Sequence, residues 1–420
     1  MDQHLLILPE SLAAEEFVVA TYALRLTGGD PLRAALEVAV TQTTGTWLPI
    51  AGESDAHRGR VIALEELPVG ETARNLEEGP RLLLARVAFP VVNFGSDLTM
   101  LLATLLGNDA SASHEIRLLD MELPASLAAA LGGPRYGIPG LRQRLGVPKR
   151  PLVCAIMKPS TGFALRAGVE ACYQAALGGA DLIKDDELLA DPDFLPLAKR
   201  VPAYADAVRR AFEETGHRTR IVANITAGPT RLLDNGRLAR DAGADVLMVN
   251  LYAVSPGALA DLAAADLGLP LWAHSTGAGT YFESPASGMS AHLTLGKVPR
   301  LAGADVVILD SPLTYPWRPE RFALILRALR APLHGLRPTL PAAGGGVRPD
   351  TVPHLLEICG RNVVLAAGGA VHGHPNGTRA GVEAMRVAVD AAIEGIPLPV
   401  AAQTSAPLRA ALDAWAPKDR

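Results

Sequence analysis

From Pro151 onward the chain alternates short apolar runs with longer helical stretches, and this rhythm restricts the fold more than any other feature. Eight runs read as strands: Leu152–Met157, Leu182–Asp185, Ile221–Ile225, Val246–Leu251, Leu269–Ala273, Val306–Leu309, Thr339–Ala343 and Val363–Ala367. Short strands separated by helices are the pattern of a parallel barrel. An internal echo supports it. Gly-Ala-Asp precedes the second, fourth and sixth runs, as Gly179-Ala180-Asp181, Gly243-Ala244-Asp245 and Gly303-Ala304-Asp305. Each glycine ends a helix and lets the chain enter the next strand. Residues 146–420 are therefore expected to form a (β/α)8 TIM barrel, with closing helices over 378–420.

Upstream, the pattern is different. Residues 1–16 read as a short arm, and Phe17–Leu26 as a strand. Asp30 caps a helix with Pro31 in its first turn and Leu32–Val40 as its body. Gly59–Leu64, Arg81–Pro90 and Ile116–Leu123 read as strands, with a proline-, glycine- and glutamate-containing loop between the first two and a helix over Leu98–Leu106. Strands and helices mixed without βαβ spacing predict an α+β domain over residues 1–145. The fold class is α/β: a C-terminal barrel preceded by an α+β domain.

The totals exclude several function classes. A chain of 420 residues that is 49% hydrophobic and 20% charged builds large cores. A net charge of −5 leaves no basic footprint for nucleic acid. Cys154, Cys172 and Cys359 are odd in number and widely spaced, which fits neither a disulfide framework nor a zinc site. No signal peptide and no membrane-length apolar run is read, so a cytoplasmic protein is expected.

In such barrels the chemistry sits at the C-terminal ends of the strands. After the second strand comes Lys184-Asp185-Asp186-Glu187. Alternation along a strand points Lys184 and Asp186 the same way, and a turn after Asp186 lets Glu187 join them. Charge alone equally fits a solvated loop. Two carboxylates at a strand end suit a hard cation such as Mg²⁺. A lysine ammonium cannot ligate a metal, but a lysine carbamylated by CO₂ can. Lys158, after strand one, is either a lysine whose head reaches the rim or a proton-transfer group. His274, after strand five, is a packed histidine or a proton shuttle. Gly344-Gly345-Gly346 and Gly368-Gly369 follow strands seven and eight. They are tight turns or exposed N–H groups for a phosphate. Asp310 reads as a cap rather than a second metal ligand, and His372 and His374 as structural.

These motifs, taken in order, resemble the RuBisCO large-subunit family. The resemblance rests on Thr43-Thr44-Gly45-Thr46-Trp47, Leu106-Gly107-Asn108, Lys158-Pro159, Lys184-Asp185-Asp186-Glu187, Asn224-Ile225-Thr226-Ala227-Gly228, His274, Gly345-Gly346, Gly368-Gly369 and Gly373-His374-Pro375. It implies a carbamylated Lys184 ligating Mg²⁺ with Asp186 and Glu187, a catalytic Lys158, and His274 near the reacting carbons. It implies one substrate phosphate at Thr46, Trp47, Gly345, Gly346, Gly368 and Gly369. Thr46, Trp47 and Asn108 would come from a partner subunit, so a homodimer with shared active sites is implied.

Departures from the family pattern redirect the function. Thr41 stands for a glutamate, Ser160 for a second lysine, Ser275 for an arginine, and Gly344 for a serine. Residues 306–312 lack a histidine, and residues 311–330 contain no lysine. Arg318 and Arg321 are the early cations there, and arginine replaces a lysine's compact charge poorly. Carboxylation needs a cation over the developing carboxylate, so CO₂ fixation is not expected. The resemblance is to the non-carboxylating RuBisCO-like branch. The expected activity is Mg²⁺-dependent enolisation, of tautomerase or isomerase type, of a mono-phosphorylated keto compound through a metal-stabilised enediolate. The alternatives are a decarboxylase or carbon–carbon lyase on a branched 3-keto sugar acid phosphate, and a non-catalytic ligand-binding relative.

Overall fold

The computed structural model describes residues 12–48, 50–52, 54–67, 80–113 and 115–415. Most of the arm and most of the loop preceding Arg81 lie outside the described residues. Among the described residues are strands β1 (Phe17–Leu26), β2 (Arg60–Leu67), β3 (Arg81–Pro90) and β4 (Glu115–Glu122). They are followed by β5 (Leu152–Ile156), β6 (Leu182–Lys184), β7 (Arg220–Asn224), β8 (Val246–Asn250) and β9 (Leu271–His274). The two-residue β10 (Gly288–Met289), β11 (Val306–Asp310), β12 (Leu340–Gly344) and β13 (Val364–Ala367) complete the set.

The chain divides into two compact units. The first comprises the chain up to Gly133 with Gly277–Ala302 and Pro332–Leu336. Its sheet runs β10-β4-β1-β3-β2. β1 pairs antiparallel with β3 from Phe17↔Pro90 to Leu26↔Arg81, while β10 joins β4 in parallel. Asp30 caps the helix Pro31–Thr41 as its sequence predicts, accepting from Leu32 N–H at 3.0 Å. β10 belongs to the stretch between two barrel strands, and two residues are too few to show a strand pattern.

The second unit is the barrel: a closed ring in the order β11-β12-β13-β5-β6-β7-β8-β9. Predicted and observed strands differ by one or two residues at their ends. The fifth starts at Leu271 because Pro270 has no N–H to enter the ladder. The sixth and seventh run one residue longer, to Asp310 and Gly344, so Asp310 is part of a strand.

The Gly-Ala-Asp echo has a structural cause. Gly179, Gly243 and Gly303 all have left-handed φ, between 85° and 101°, which a side chain would strain. The aspartate after each latches the neighbouring strand. Asp181 accepts from Val153 N–H at 2.8 Å, Asp245 from Ile221 N–H at 2.9 Å, and Asp305 from Leu271 N–H at 3.0 Å. The repeat thus ties the starts of β5, β7 and β9 to their neighbours and fixes strand stagger.

Alternate residues fill the barrel. Leu152, Cys154 and Ile156 of β5, Leu182 of β6, Val222 of β7, Val246 and Met248 of β8, and Trp272 of β9 share one core with Val306, Ile308, Leu340, Ala342, Val364 and Ala366. Ile138 and Leu141, from the helix Gly137–Leu145, belong to the same core. Advancing two residues on each strand reaches the next inward position. That step names the layer at the barrel mouth: Lys158, Lys184, Asn224, Asn250, His274, Asp310, Gly344 and Gly368.

Candidate active site

The mouth layer changes abruptly from apolar to polar. Above it opens a cavity of about 460 Å³ lined by Lys158, Asp186, Glu187, His274, Ser275, Asp310 and the glycine turns after β12 and β13. The cavity lies within the barrel unit.

The end of β6 carries the densest charge. Lys184 is fully buried, and its Nζ donates to the backbone O of Asp185 at 2.7 Å. Burial lowers its pKa, although Cys154 and the acidic neighbours push the other way. Asp185 points away from the mouth, towards the helix Leu197–Thr215. There the fully buried Arg200 grips both its carboxylate oxygens at 3.1 Å and the carbonyl of Ala190 at 2.6 Å. Asp186 returns to the mouth. Its Oδ1 accepts from Leu188 N–H at 3.1 Å, forming the turn that brings in Glu187. Lys158 Nζ donates to Asp186 Oδ2 at 2.5 Å and to Ser160 Oγ at 2.8 Å. Burial opposes ionisation of Asp186, but the bonds from Lys158 and Leu188 and the lysine charges hold its pKa below the usual range.

Two amides hold the backbone of this turn. Asn224 Nδ2 donates to the carbonyls of Asp186 and Glu187, both at 3.0 Å, while its Oδ1 accepts from Thr226 N–H at 3.1 Å. The last bond fixes the amide orientation, since a backbone N–H only donates. Asn250 Nδ2 donates to Glu187 O at 2.9 Å. Asn224 is in a motif quoted above, whereas Asn250 escaped notice. Strand parity at β8 would have found it.

His274 is locked in one tautomer. Its Nδ1 accepts from Thr276 N–H at 3.2 Å and lies 2.7 Å from Thr276 Oγ1. The ring proton therefore sits on Nε2, which faces Glu187 Oε2 at 3.5 Å. Burial, reinforced by the lysine charges, pulls its pKa down to about 3, so the ring is neutral. No local pattern marks Thr276 as the residue that sets this tautomer.

The glycine turns have two characters. At Gly346, with φ +68°, a Cβ would fall 2.1 Å from Thr314 Cγ2, so the loop after β11 requires glycine there. At Gly368 a Cβ would stand 3.1 Å from Lys158 Cε, so glycine lets the lysine pass close. Gly369 has nothing within 4 Å of a Cβ position, and its carbonyl accepts from Gly373 N–H at 2.8 Å. The N–H groups of Gly345, Gly346 and Gly369 donate to no acceptor among the described residues.

Asp310 is not the cap its sequence context suggested. Ser311 forms the turn instead, donating its N–H to Gly344 O at 2.6 Å and accepting at Oγ from Leu313 N–H at 3.3 Å. Asp310 lines the cavity, and burial raises its pKa. His374 is structural: its Nε2 meets Pro407 O at 3.0 Å and its ring lies edge-on to Trp415. His372 is held by Thr378 at 3.1 Å. Trp415, at the end of the helix Ala406–Trp415, also lines the cavity, and no sequence signal marked it. Thr46, Trp47 and Asn108 belong to the first unit. Trp47 is 48% exposed, with Leu48 beside it 72% exposed.

Among the described residues no three His, Cys, Asp or Glu side chains converge as a metal site. The mouth offers two, Asp186 and Glu187, with Lys184 beside them. A hard cation needs a further anionic oxygen. Lys184 suits that requirement by its position: it is fully buried beside the two carboxylates, and burial lowers its pKa towards the amine form that adds CO₂.

The family profile described as "Ribulose bisphosphate carboxylase large chain, catalytic domain" matches residues 137–311 and 327–415. The chain belongs to the RuBisCO large-chain family. The match breaks over residues 312–326, the segment that follows β11 and lacks lysine. Within this RuBisCO family, a ribulose bisphosphate carboxylase-like protein from Archaeoglobus fulgidus is 38% identical over 92% of this chain and 90% of its own. A 2,3-diketo-5-methylthiopentyl-1-phosphate enolase from Geobacillus kaustophilus is 38% identical, covering 95% of this chain and 98% of its own. The crystal structure of a RuBisCO-like protein from Alicyclobacillus acidocaldarius superposes with a TM-score of 0.86 at 38% identity, over 95% of this chain and all of the other. These three relatives, at 38% identity, are named as RuBisCO-like proteins or an enolase, while a ribulose-1,5-bisphosphate carboxylase/oxygenase from Pyrococcus horikoshii superposes with a TM-score of 0.90 at 28% identity, over 99% of this chain and 97% of the other.

Proposed function

We propose that the protein is a Mg²⁺-dependent enolase-type enzyme acting on a mono-phosphorylated keto compound, and that it does not fix CO₂. The observation that carries this reading is the convergence of Asp186, Glu187, Lys158 and His274 on one mouth of the barrel, with Lys184 buried next to Asp185 beneath them. Asp186, Glu187 and a carbamylated Lys184 would hold Mg²⁺. When bound, the cation polarises a carbonyl and stabilises the charge that builds on oxygen as an α-proton leaves.

The remaining work falls to the chain itself. Thr276 keeps the Nε2 proton of His274 available to a substrate oxygen. Lys158, anchored by Ser160, brings a cation to the same edge. Backbone N–H groups of Gly345, Gly346 and Gly369, with Gly368 leaving space, would receive the phosphate. Residues 311–330, the segment after β11, contain no lysine to stabilise a new carboxylate, which removes the carboxylation step. In this reading the protein works in the cytoplasm as a homodimer in which Thr46, Trp47 and Asn108 serve the partner subunit's site. The name of the Geobacillus kaustophilus relative favours proton abstraction over loss of CO₂.

The test is a ¹H-NMR assay in D₂O with Mg²⁺ and bicarbonate, on 2,3-diketo-5-methylthiopentyl 1-phosphate and related keto phosphates. Loss of an α-proton signal with all carbon retained is expected. Release of CO₂ would transfer the protein to the lyases. Bound Mg²⁺ with no exchange on any member would overturn the reading.

A further inference from the structure

The glycine turns after β12 and β13 sit on neighbouring strands of the ring, and they are held in different ways. The turn after β13 supports itself. Gly368 O accepts from the N–H groups of Val371 and His372, both at 3.0 Å, and Gly369 O from Gly373 N–H at 2.8 Å. The short helix Gly369–His372 thus fixes that turn from within.

The turn after β12 has no such helix. The strand ends on Gly344, and Gly345 and Gly346 follow. Consecutive glycines have the widest backbone freedom of any residues, yet Gly345 and Gly346 share one left-handed conformation, with φ +75° and +68°. The loop after β11 supplies a contact to each of the three. Ser311 N–H donates to Gly344 O at 2.6 Å. Thr314 Oγ1 donates to Gly345 O at 3.0 Å, while Ser311 O lies farther from it at 3.4 Å. Thr314 Cγ2 fills the space where a Cβ on Gly346 would stand. The loop is itself braced. Ser311 is buried, its carbonyl accepts from Thr314 N–H at 3.1 Å and Tyr315 N–H at 3.0 Å, and Trp317 Nε1 donates to Asp310 O at 3.0 Å. Thr314 and Trp317 lie in residues 312–326, where the family profile does not match, so the family pattern does not supply them.

Successive backbone N–H groups in a tight turn form a concavity for an anion. Three free glycines would have to be ordered at the moment of binding, which lowers affinity; a turn already ordered avoids that loss. We infer that Thr314 is a positioning residue for the phosphate: by clamping Gly345 and Gly346 in the left-handed turn, it keeps their open N–H groups preorganised as an anion cradle. The inference rests on the phosphate-at-the-glycines reading above and names the side chain on which the cradle's affinity depends.

Glycine labelled with both ¹³C carbonyl and ¹⁵N gives carbonyl-filtered NMR signals only from Gly-Gly peptide bonds, which include the amides of Gly345, Gly346 and Gly369. The intact chain, free of Mg²⁺, is titrated with inorganic phosphate as wild type, Thr314→Ala and Thr314→Ser. In wild type the three amides should shift together on one binding curve. In Thr314→Ala the amides of Gly345 and Gly346 should move before phosphate is added, that of Gly369 should stay in place, and phosphate should bind about ten-fold more weakly. Thr314→Ser restores the hydroxyl and should bring affinity back to within about three-fold of wild type. Wild-type affinity in Thr314→Ala, or an equal loss in Thr314→Ser, would overturn the role of Thr314 and leave the phosphate site standing. Wild-type amides that do not respond to phosphate would overturn the phosphate reading and this inference together.

Discussion

The ends of β6 and β11 stand opposite each other, four strands apart either way around the ring. At β6, charge is matched with charge: Asp185 with Arg200 and Asp186 with Lys158, while Asn224 and Asn250 hold the backbone beneath. At β11, Asp310 lines the same cavity exposed, its side chain without a partner among the described residues. The difference separates two kinds of site construction. A cluster that must hold a fixed geometry is braced on every side, because each buried ion left unpaired is expensive. An exposed carboxylate such as Asp310 needs no such brace, because water satisfies it.

The contrast can be broken most forcefully at Arg200. Arg200→Met leaves Asp185 buried without its partner, and should cost about 3–5 kcal/mol of stability, read by denaturant unfolding. A loss near zero would mean the brace is not required. Next in size is Asn224→Ala, which frees the carbonyls of Asp186 and Glu187. It should weaken Mg²⁺ binding about 10–100-fold, measured by calorimetry in bicarbonate, with little change in secondary structure. Thr276→Val removes the hydroxyl at His274 Nδ1 but keeps the backbone N–H bond. The ring should keep its tautomer, visible by ¹⁵N NMR, with turnover lowered by no more than about ten-fold. The smallest effect on stability belongs to the other side of the comparison. Asp310→Asn removes no protein contact and should change stability by less than about 0.5 kcal/mol. A large loss there would show that Asp310 has a structural partner after all.

Much of this was legible in the sequence, for identifiable reasons. Barrel strands announce themselves by apolar runs and helix spacing, whereas their ends shift by one or two residues because an apolar run does not mark where the ladder stops, with Pro270 accounting for the late start of the fifth. Period-two alternation points Lys184 and Asp186 the same way; that the intervening Asp185 turns to Arg200 of the outer helix is visible only in the structure. The same alternation, carried to every strand, would also have picked out Asn250 and the inward face of Asp310. What could not be read were contacts made by side chains far apart in sequence. Arg200 sits in an ordinary amphipathic helix, and nothing local says that it meets Asp185. Trp415 reaches the cavity from the last described helix. β10 is two residues long, too short for any periodicity to show.

The central claim is that Lys184 completes the metal site by taking up CO₂, and ¹³C NMR with ¹³C-bicarbonate tests it without knowledge of the substrate. The account predicts one carbamate resonance that strengthens on adding Mg²⁺ and is absent from Lys184→Ala. A folded wild-type protein that binds Mg²⁺ with no such resonance, or a resonance that persists in Lys184→Ala, would contradict it.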